Sequence, residues 1–251
     1  MSHSVRHGSP SIYSPYRLPA GVKWLLIVNT SLFVIYFFAA RAGYGQLFRD
    51  LGLWPRAVLT LPAIWQLATY MFLHDPFGFA HILFNMLALW MFGADLERDW
   101  GTRSFLKYYF LCGVGAGVCV IVANLIAGTL DTRTIGSSGA IYGLLLAFGL
   151  LYPDRIVLFS FLFPIKAKYF VMIIGAIAFL SSIGASGSGV SHVAHLGGMV
   201  FGYVYLRRRR FRIDLSGPIW RLIQQWRIRR AKKKFEVYLR TKEGGRNRHI
   251  H

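Results

Sequence analysis

The chain of 251 residues is 55% hydrophobic and only 16% charged, which is too apolar for an ordinary soluble domain of this length. Composition therefore predicts an integral membrane protein. The formal net charge of +19 leaves three interpretations open: binding to nucleic acid, binding to an anionic membrane surface, or an asymmetric membrane topology.

The N-terminal 22 residues contain no acid and lack the apolar core of a signal peptide. We interpret residues 1–22 as a cytoplasmic segment, with an organelle transit peptide as the alternative. Six apolar runs follow, each a candidate to cross a hydrocarbon core of about 30 Å as a helix. They are residues 23–40, 80–96, 105–127, 138–152, 168–185 and 190–206.

These runs predict an all-α integral membrane bundle of six transmembrane helices over residues 23–206. The connection of about 40 residues after the first run is rich in proline and aromatic residues, so we expect a structured loop lying partly in the membrane interface. Residues 157–167 are apolar but broken by Pro164. We interpret them as an interfacial or re-entrant segment leading into the fifth run.

An even number of spans places both termini on one side, and the positive-inside rule chooses that side. With the termini inside, 25 Lys and Arg residues are cytoplasmic and four are outside, namely Arg41, Arg49, Arg56 and Arg133. We expect a multi-pass protein of a bacterial inner membrane with both termini cytoplasmic.

The basic residues concentrate in the segment 207–251, which carries 16 Lys and Arg residues against three acids. Within this predicted cytoplasmic tail, residues 218–242 space apolar side chains at near-helical intervals among the basic ones. The pattern predicts an amphipathic helix on the anionic inner leaflet of the bilayer. Nucleic-acid binding is the alternative, and we do not expect it.

Polar groups inside membrane helices are costly, so they mark candidate functional residues. The second run carries His81 and Asn85, the fourth carries Ser138, and the sixth carries His192 and His195. Counted from the cytoplasmic helix ends, His81, Asn85, Ser138 and His195 lie at heights of about 15 to 21 Å. We therefore predict one polar layer in the outer half of the bilayer.

Small residues predict that the fourth and sixth helices pack closely. Close contact would bring the Ser138 hydroxyl to the His195 imidazole, the arrangement of a serine nucleophile and its general base. Neither helix carries a carboxylate to orient the imidazole, so we predict a dyad rather than a triad. The small-xxx-small pairs are Gly139 with Gly143, and Gly198 with Gly202.

Tyr142 follows Ser138 by one helical turn, where its ring can stack on His195. His81 and Asn85, spaced i and i+4, can donate hydrogen bonds to a developing oxyanion, together with the backbone N–H of Ser138.

Other residues have simpler interpretations. His192 and His195 suggest a metal site, but no carboxylate, thiolate or HExxH motif accompanies them, so we expect no metal and no cofactor. His74, in the first loop, is interpreted as an interfacial side chain. Cys112 and Cys119 lie about 10 Å apart along one predicted helix, too far for a disulfide, and are interpreted as packing residues.

Five motifs in this order resemble the rhomboid intramembrane serine proteases, over the stretch from Lys23 to Arg207. They are WQLATYMFLH in the first loop, HILFN at 81–85, GADLE ending at Glu97, GSSGAIYG at 136–143 and AHLGGMVFG at 194–202. One departure is Gln66, which follows Trp65 where some family members carry arginine, so the resemblance does not extend to that arginine or to its role in holding the loop.

The resemblance implies a role for each matching residue. Ser138 would be the nucleophile and His195 the base, with His81 and Asn85 in the oxyanion hole and Tyr142 against the base. Supporting glycines would shape the turn into the fourth helix and its packing: Gly136, Gly139 and Gly198. The resemblance also implies single-span membrane proteins as substrates, cut near the outer end of the substrate helix.

Three classes of function remain for comparison: a peptidase, a rhomboid-fold protein that binds membrane helices without cutting them, and a small transporter that uses the polar layer. We expect the peptidase, because the dyad is intact and no inverted repeat is visible. The sequence does not indicate the substrate, the cleavage preference, the gating motion or the oligomeric state.

Overall fold

A computed structural model describes residues 18–159, 163–184 and 189–210. The chain divides into two compact units, Met1–Leu206 and Arg207–His251. Most of the predicted segments 1–22 and 207–251 lies outside the described residues, including the amphipathic helix expected at 218–242. Those interpretations, and the division at 206, stay predictions.

Each predicted apolar run forms a helix whose ends lie within four residues of the prediction. In chain order the helices are α1 Ala20–Arg41, α2 Pro55–Thr60, α3 Gln66–Thr69, α4 Phe79–Ala88, α5 Ala94–Trp100, α6 Thr102–Ala127, α7 Ser138–Leu151, α8 Ala167–Gly184 and α9 Gly189–Arg210. A π-helical turn, Leu89–Gly93, joins α4 and α5 into one continuous run. The predicted all-α membrane bundle is confirmed.

The helix α7 is shorter than its neighbours. Its 14 residues extend about 21 Å, less than a hydrocarbon core of about 30 Å. The C-terminal end of α7 is level with α5, because the Tyr152 hydroxyl donates to Asp99 (2.5 Å) and Arg155 pairs with Asp95 (2.8 Å). The shortfall therefore falls at the other end, where the helix begins at Ser138.

The first loop is folded, as predicted, and it is hydrogen-bonded to the loop between α6 and α7. Leu53 and Thr134 exchange two backbone hydrogen bonds of 2.9 Å, and the Gly136 N–H donates to the Tyr70 carbonyl (2.9 Å). These bonds fix the segment that leads into Ser138.

Gln66 holds the first loop from inside. Its side chain is 1% exposed; its carbonyl oxygen accepts from the Trp54 N–H (2.9 Å) and its amide donates to the Asp50 carbonyl (3.3 Å). At the same time, large apolar side chains of this loop are exposed, with Leu47 at 71% and Ile64 at 68%. Such exposure is consistent with a loop that lies in the membrane interface.

Residues 157–167 lie mainly in two strands that were not predicted. They contribute to an antiparallel hairpin of β1 Ile156–Phe159 and β2 Phe163–Lys166, in which Val157 pairs with Ile165. The interfacial or re-entrant placement of this segment stays a prediction. Pro164 interrupts helix formation but is tolerated in an isolated pair of edge strands, because such a strand has one side without a partner.

Glu97 of α5 links the start of α1 to the start of α6. Its carboxylate is 2% exposed and accepts the N–H groups of Gly21 and Val22 (both 2.7 Å) and the Thr102 hydroxyl (2.6 Å). The first N–H groups of a helix have no partner within the helix and carry partial positive charge. A carboxylate from α5 therefore caps the N-terminus of α1.

We predict that Glu97→Ala lowers the free energy of unfolding by about 3 kcal/mol or more, because charge-assisted hydrogen bonds contribute about 1.5–3 kcal/mol each. Glu97→Gln, which keeps one acceptor oxygen, should lose less. Thermal unfolding in detergent measures both. Asp95→Ala, on the same helix, is the control. It removes two partly exposed ion pairs, with Arg98 and Arg155, and should cost less than Glu97→Ala because such pairs contribute at most about 1 kcal/mol each.

Candidate active site

Ser138 and His195 are hydrogen-bonded to each other. Ser138 is the first residue of α7 and His195 lies in α9, and the distance between Ser138 Oγ and His195 Nε2 is 2.9 Å. Both side chains are partly buried. A hydroxyl within hydrogen-bonding distance of an imidazole nitrogen is the geometry in which the base can accept the hydroxyl proton.

The His195 ring is held by stacking. Its centroid lies 4.0 Å from that of Tyr142 and the two planes differ by 4°, as the spacing between Ser138 and Tyr142 predicted. His195 Nδ1 is buried without a hydrogen-bond partner among the described residues. Within that part of the chain, an aromatic ring, and no carboxylate, fixes the imidazole.

The backbones of α7 and α9 touch at glycine. A Cβ atom at Gly198 would overlap the carbonyl oxygen of Gly139, and one at Gly139 would lie 3.2 Å from the Ala194 carbonyl oxygen. The prediction that Gly202 faces α7 was wrong: a Cβ there would meet Tyr108 and Cys112 of α6. The helix α6 packs against both α7 and α9, so the small residues allow close contact among three helices.

All four predicted polar residues line one cavity of about 620 Å³: His81, Asn85, Ser138 and His195. The wall is largely apolar and comes from α4, α7 and α8, with Phe84, Ala88 and Ile174 among its residues. The cavity therefore combines a polar end at Ser138 with a surface suited to an apolar chain.

His81 and Asn85 contact each other through the helix backbone. One amide hydrogen of Asn85 is donated to the His81 carbonyl (2.7 Å), which leaves the second hydrogen for another acceptor. Gly136 has φ +115°, and a Cβ atom there would lie 2.7 Å from His81 Nε2. Glycine at this turn therefore allows His81 to approach the start of α7.

A buried group of polar residues, which was not predicted, lies behind Ser138. His74 is fully buried rather than interfacial; its Nε2 lies 3.4 Å from Ser137 Oγ and its ring centroid lies 5.1 Å from that of His81. Tyr70, also buried, donates its hydroxyl to the Gly113 carbonyl (2.7 Å). Only the motif WQLATYMFLH, which contains both Tyr70 and His74, marked this stretch.

The His192 ring meets the His195 ring edge-on, with centroids 5.8 Å apart. In the part of the chain that the structure describes, no three His, Cys, Asp or Glu side chains group as metal ligands. The expected absence of a metal and of a cofactor stays a prediction.

Comparison with known proteins identifies the family. A model of the Rhomboid domain matches residues 62–209, more than half of the chain. The chain belongs to the rhomboid family. The rhomboid match covers every residue named above for the cavity, as well as the α7–α9 contact.

Two bacterial relatives show the extent of the similarity. This rhomboid is 34% identical over 139 residues to Rhomboid protease GluP of Bacillus subtilis (strain 168), covering 55% of this chain and 25% of GluP. It is 30% identical over 152 residues to Rhomboid protease AarA of Providencia stuartii, covering 55% of this chain and 53% of AarA.

A third relative, YdcA of Bacillus subtilis (strain 168), is 34% identical over 143 residues, or 56% of this chain and 64% of YdcA. The rhomboid chain therefore spans less than two thirds of the length of these relatives.

We predict that Gly198→Ala destabilises this rhomboid by about 1–3 kcal/mol, because the added methyl group meets a backbone oxygen that cannot rotate away. Thermal unfolding in detergent is the measurement. Gly175→Ala is the matched control: its Cβ would lie 3.3 Å from the flexible end of Met199, so its effect should be smaller. Equal stability of Gly198→Ala and wild type would contradict the close contact.

Proposed function

We propose that this rhomboid is an intramembrane serine endopeptidase that works through a dyad of Ser138 and His195. The hydrogen bond of 2.9 Å between His195 Nε2 and Ser138 Oγ carries the proposal. The similarity to two proteins named rhomboid proteases supports the same chemistry.

The reaction begins when His195 Nε2 accepts the Ser138 proton and Oγ attacks the carbonyl carbon of the peptide bond. His81, the free amide hydrogen of Asn85 and the Ser138 backbone N–H then donate to the oxyanion. The C–N bond breaks as His195 returns the proton to the leaving amine. Water, deprotonated by His195, hydrolyses the acyl-enzyme and regenerates Ser138.

Tyr142 acts through His195 in this proposal. Because Nδ1 has no hydrogen-bond partner in the described part of the chain, the imidazole depends on the parallel ring at 4.0 Å for its orientation. Stacked rings contribute about 0.5–1.5 kcal/mol beyond their buried area, enough to favour one rotamer.

The proposed substrates are single-span membrane proteins, cut near the outer membrane face. The apolar wall of the cavity fits a membrane helix, while the late start of α7 supports a cut below the outer surface. Orientation follows the positive-inside rule, with both termini on the cytoplasmic side of a bacterial inner membrane. The basic residues from 207 onward would contact the anionic inner leaflet.

A rhomboid-fold protein that binds membrane helices without cutting them is the alternative. An intact pair of Ser138 and His195 disfavours it, because binding alone needs no hydroxyl held at an imidazole.

For the nucleophile, we predict that Ser138→Ala abolishes labelling by a fluorophosphonate probe and reduces cleavage of a membrane-protein substrate by about three orders of magnitude. Peptide mapping of the folded protein in lipid locates the label. Ser137→Ala is the matched control, because Ser137 is the neighbouring hydroxyl and is fully buried; it should still be labelled at Ser138. Equal cleavage by wild type and Ser138→Ala would favour the non-enzymatic alternative.

For the stacked ring, we predict that Tyr142→Phe keeps most of the activity, whereas Tyr142→Leu loses about three- to tenfold in kcat/KM. The phenol oxygen has no role in this mechanism, and only the flat ring is required. Initial cleavage rates at several substrate concentrations separate kcat from KM. A similar loss in both variants would show that the hydroxyl, rather than the ring, matters.

A further inference from the structure

A second cavity borders the one at Ser138, and Ile135 lines both. Its volume is about 350 Å³. Its lining comes from α1, from the 3-10 segment Gly45–Leu51 and from the loop between α6 and α7. Two arginines from different loops line it, Arg49 and Arg133.

Arg133 is held in place. Its Nη1 donates to the Arg49 carbonyl (2.7 Å), and its guanidinium lies 4.5 Å from the Trp54 ring centroid. These contacts fix the plane of the guanidinium while leaving further N–H groups to donate, since arginine has five.

The two arginines line one cavity, so their positive charges act on each other. Burial lowers the pKa of the Arg133 guanidinium, and the like charge of Arg49 lowers it further, while Asp50 acts in the opposite direction. Neither arginine forms an ion pair with a carboxylate in the described parts of the chain. Like charges held together in this way favour an anion between them.

Arg56, on the same loop, provides the contrast. Its guanidinium donates two hydrogen bonds to the Asp131 carboxylate, at 2.7 and 2.6 Å, and thereby holds the pKa of that carboxyl below its usual range. The Arg56 charge is already neutralised by the Asp131 carboxylate, so we expect Arg56 to bind an external anion less well than Arg49 and Arg133.

The surroundings of the cavity are amphipathic. Aromatic side chains line it, with the Tyr36 and Phe48 ring centroids 4.7 Å apart. Next to its lining residues in the chain, large apolar side chains are exposed: Tyr44 at 61% and Leu47 at 71%. A free anion would leave these apolar surfaces in contact with water, whereas the acyl chains of a lipid would cover them.

We propose that Arg49 and Arg133 bind the phosphate of an anionic phospholipid headgroup, with phosphatidylglycerol as the chemical type. Arginine suits phosphate because its planar N–H groups donate in pairs. A headgroup without an ammonium adds no further positive charge beside the two guanidinium groups. The outer leaflet as the source rests on the orientation proposed above; the binding itself depends on neither that orientation nor the peptidase activity.

The bound headgroup would join the first loop to the segment that leads into Ser138. Ile135 lines the same cavity and precedes Gly136, and a Cβ at Gly52 would lie 3.2 Å from Ile135. The ligand would therefore reinforce the backbone bonds between Leu53 and Thr134 from outside the protein.

The test compares the full-length protein in nanodiscs of phosphatidylcholine and of phosphatidylcholine with phosphatidylglycerol. Phenylglyoxal modifies accessible arginines, and peptide mapping resolves each position, so binding by the basic residues from 207 onward does not interfere. We expect phosphatidylglycerol to slow modification of Arg49 and Arg133 by about fivefold or more, as a well-occupied site would. Arg56 is the internal control and should react at the same rate in both nanodiscs.

Two further arms make the outcome specific. Arg49→Gln should remove the protection of Arg133, with unfolding temperature measured to verify the fold. Inorganic phosphate added to phosphatidylcholine nanodiscs should protect neither arginine. Unchanged modification rates in phosphatidylglycerol, equal slowing at Arg56, retained protection of Arg133 in the Arg49→Gln variant, or equal protection by inorganic phosphate would each overturn the proposal.

Discussion

The contact between the backbones of α7 and α9 is the constraint on which the candidate site depends. The Ser138 hydroxyl and the His195 imidazole, on two separate helices, lie 2.9 Å apart at a place where the two helix backbones are in direct contact. Gly198 provides that approach by placing no side chain between itself and the Gly139 carbonyl. Tyr142 then fills the space beside His195, so packing rather than an ionised partner sets the orientation of the ring.

A second constraint acts on Ser138 from the loops. The segment before α7 is bonded along its backbone to the first loop, through Thr134 with Leu53 and through Gly136 with Tyr70. The residue that begins a helix is ordinarily the least restrained part of it. Here the start of α7 is tied to a folded loop and packed against the glycine contact, which keeps the hydroxyl in register with the imidazole.

The site residues that could be predicted from the sequence are those whose residue type and helical spacing are enough to place them. Ser138, His195 and Tyr142 are polar or aromatic groups in apolar runs, so their faces follow from the 3.6-residue period. The period shows which residues share a helix face but not which neighbouring helix that face contacts. Gly202 was therefore assigned to α7 although it contacts α6. The hairpin at 156–166 was missed because apolar runs this short fit strand and helix equally. His74 was missed because its contact with Ser137 depends on the path of a whole loop.

The cap on α1 has a consequence for the order of folding. The N–H groups of Gly21 and Val22 donate to the Glu97 carboxylate, which lies 75 residues or more further along the chain. While the chain is being inserted, α1 enters the bilayer before its acceptor exists, and those groups must remain with water or lipid headgroups. The first helix can therefore complete its N-terminal hydrogen bonding only after the second span, which ends with α5, has been inserted.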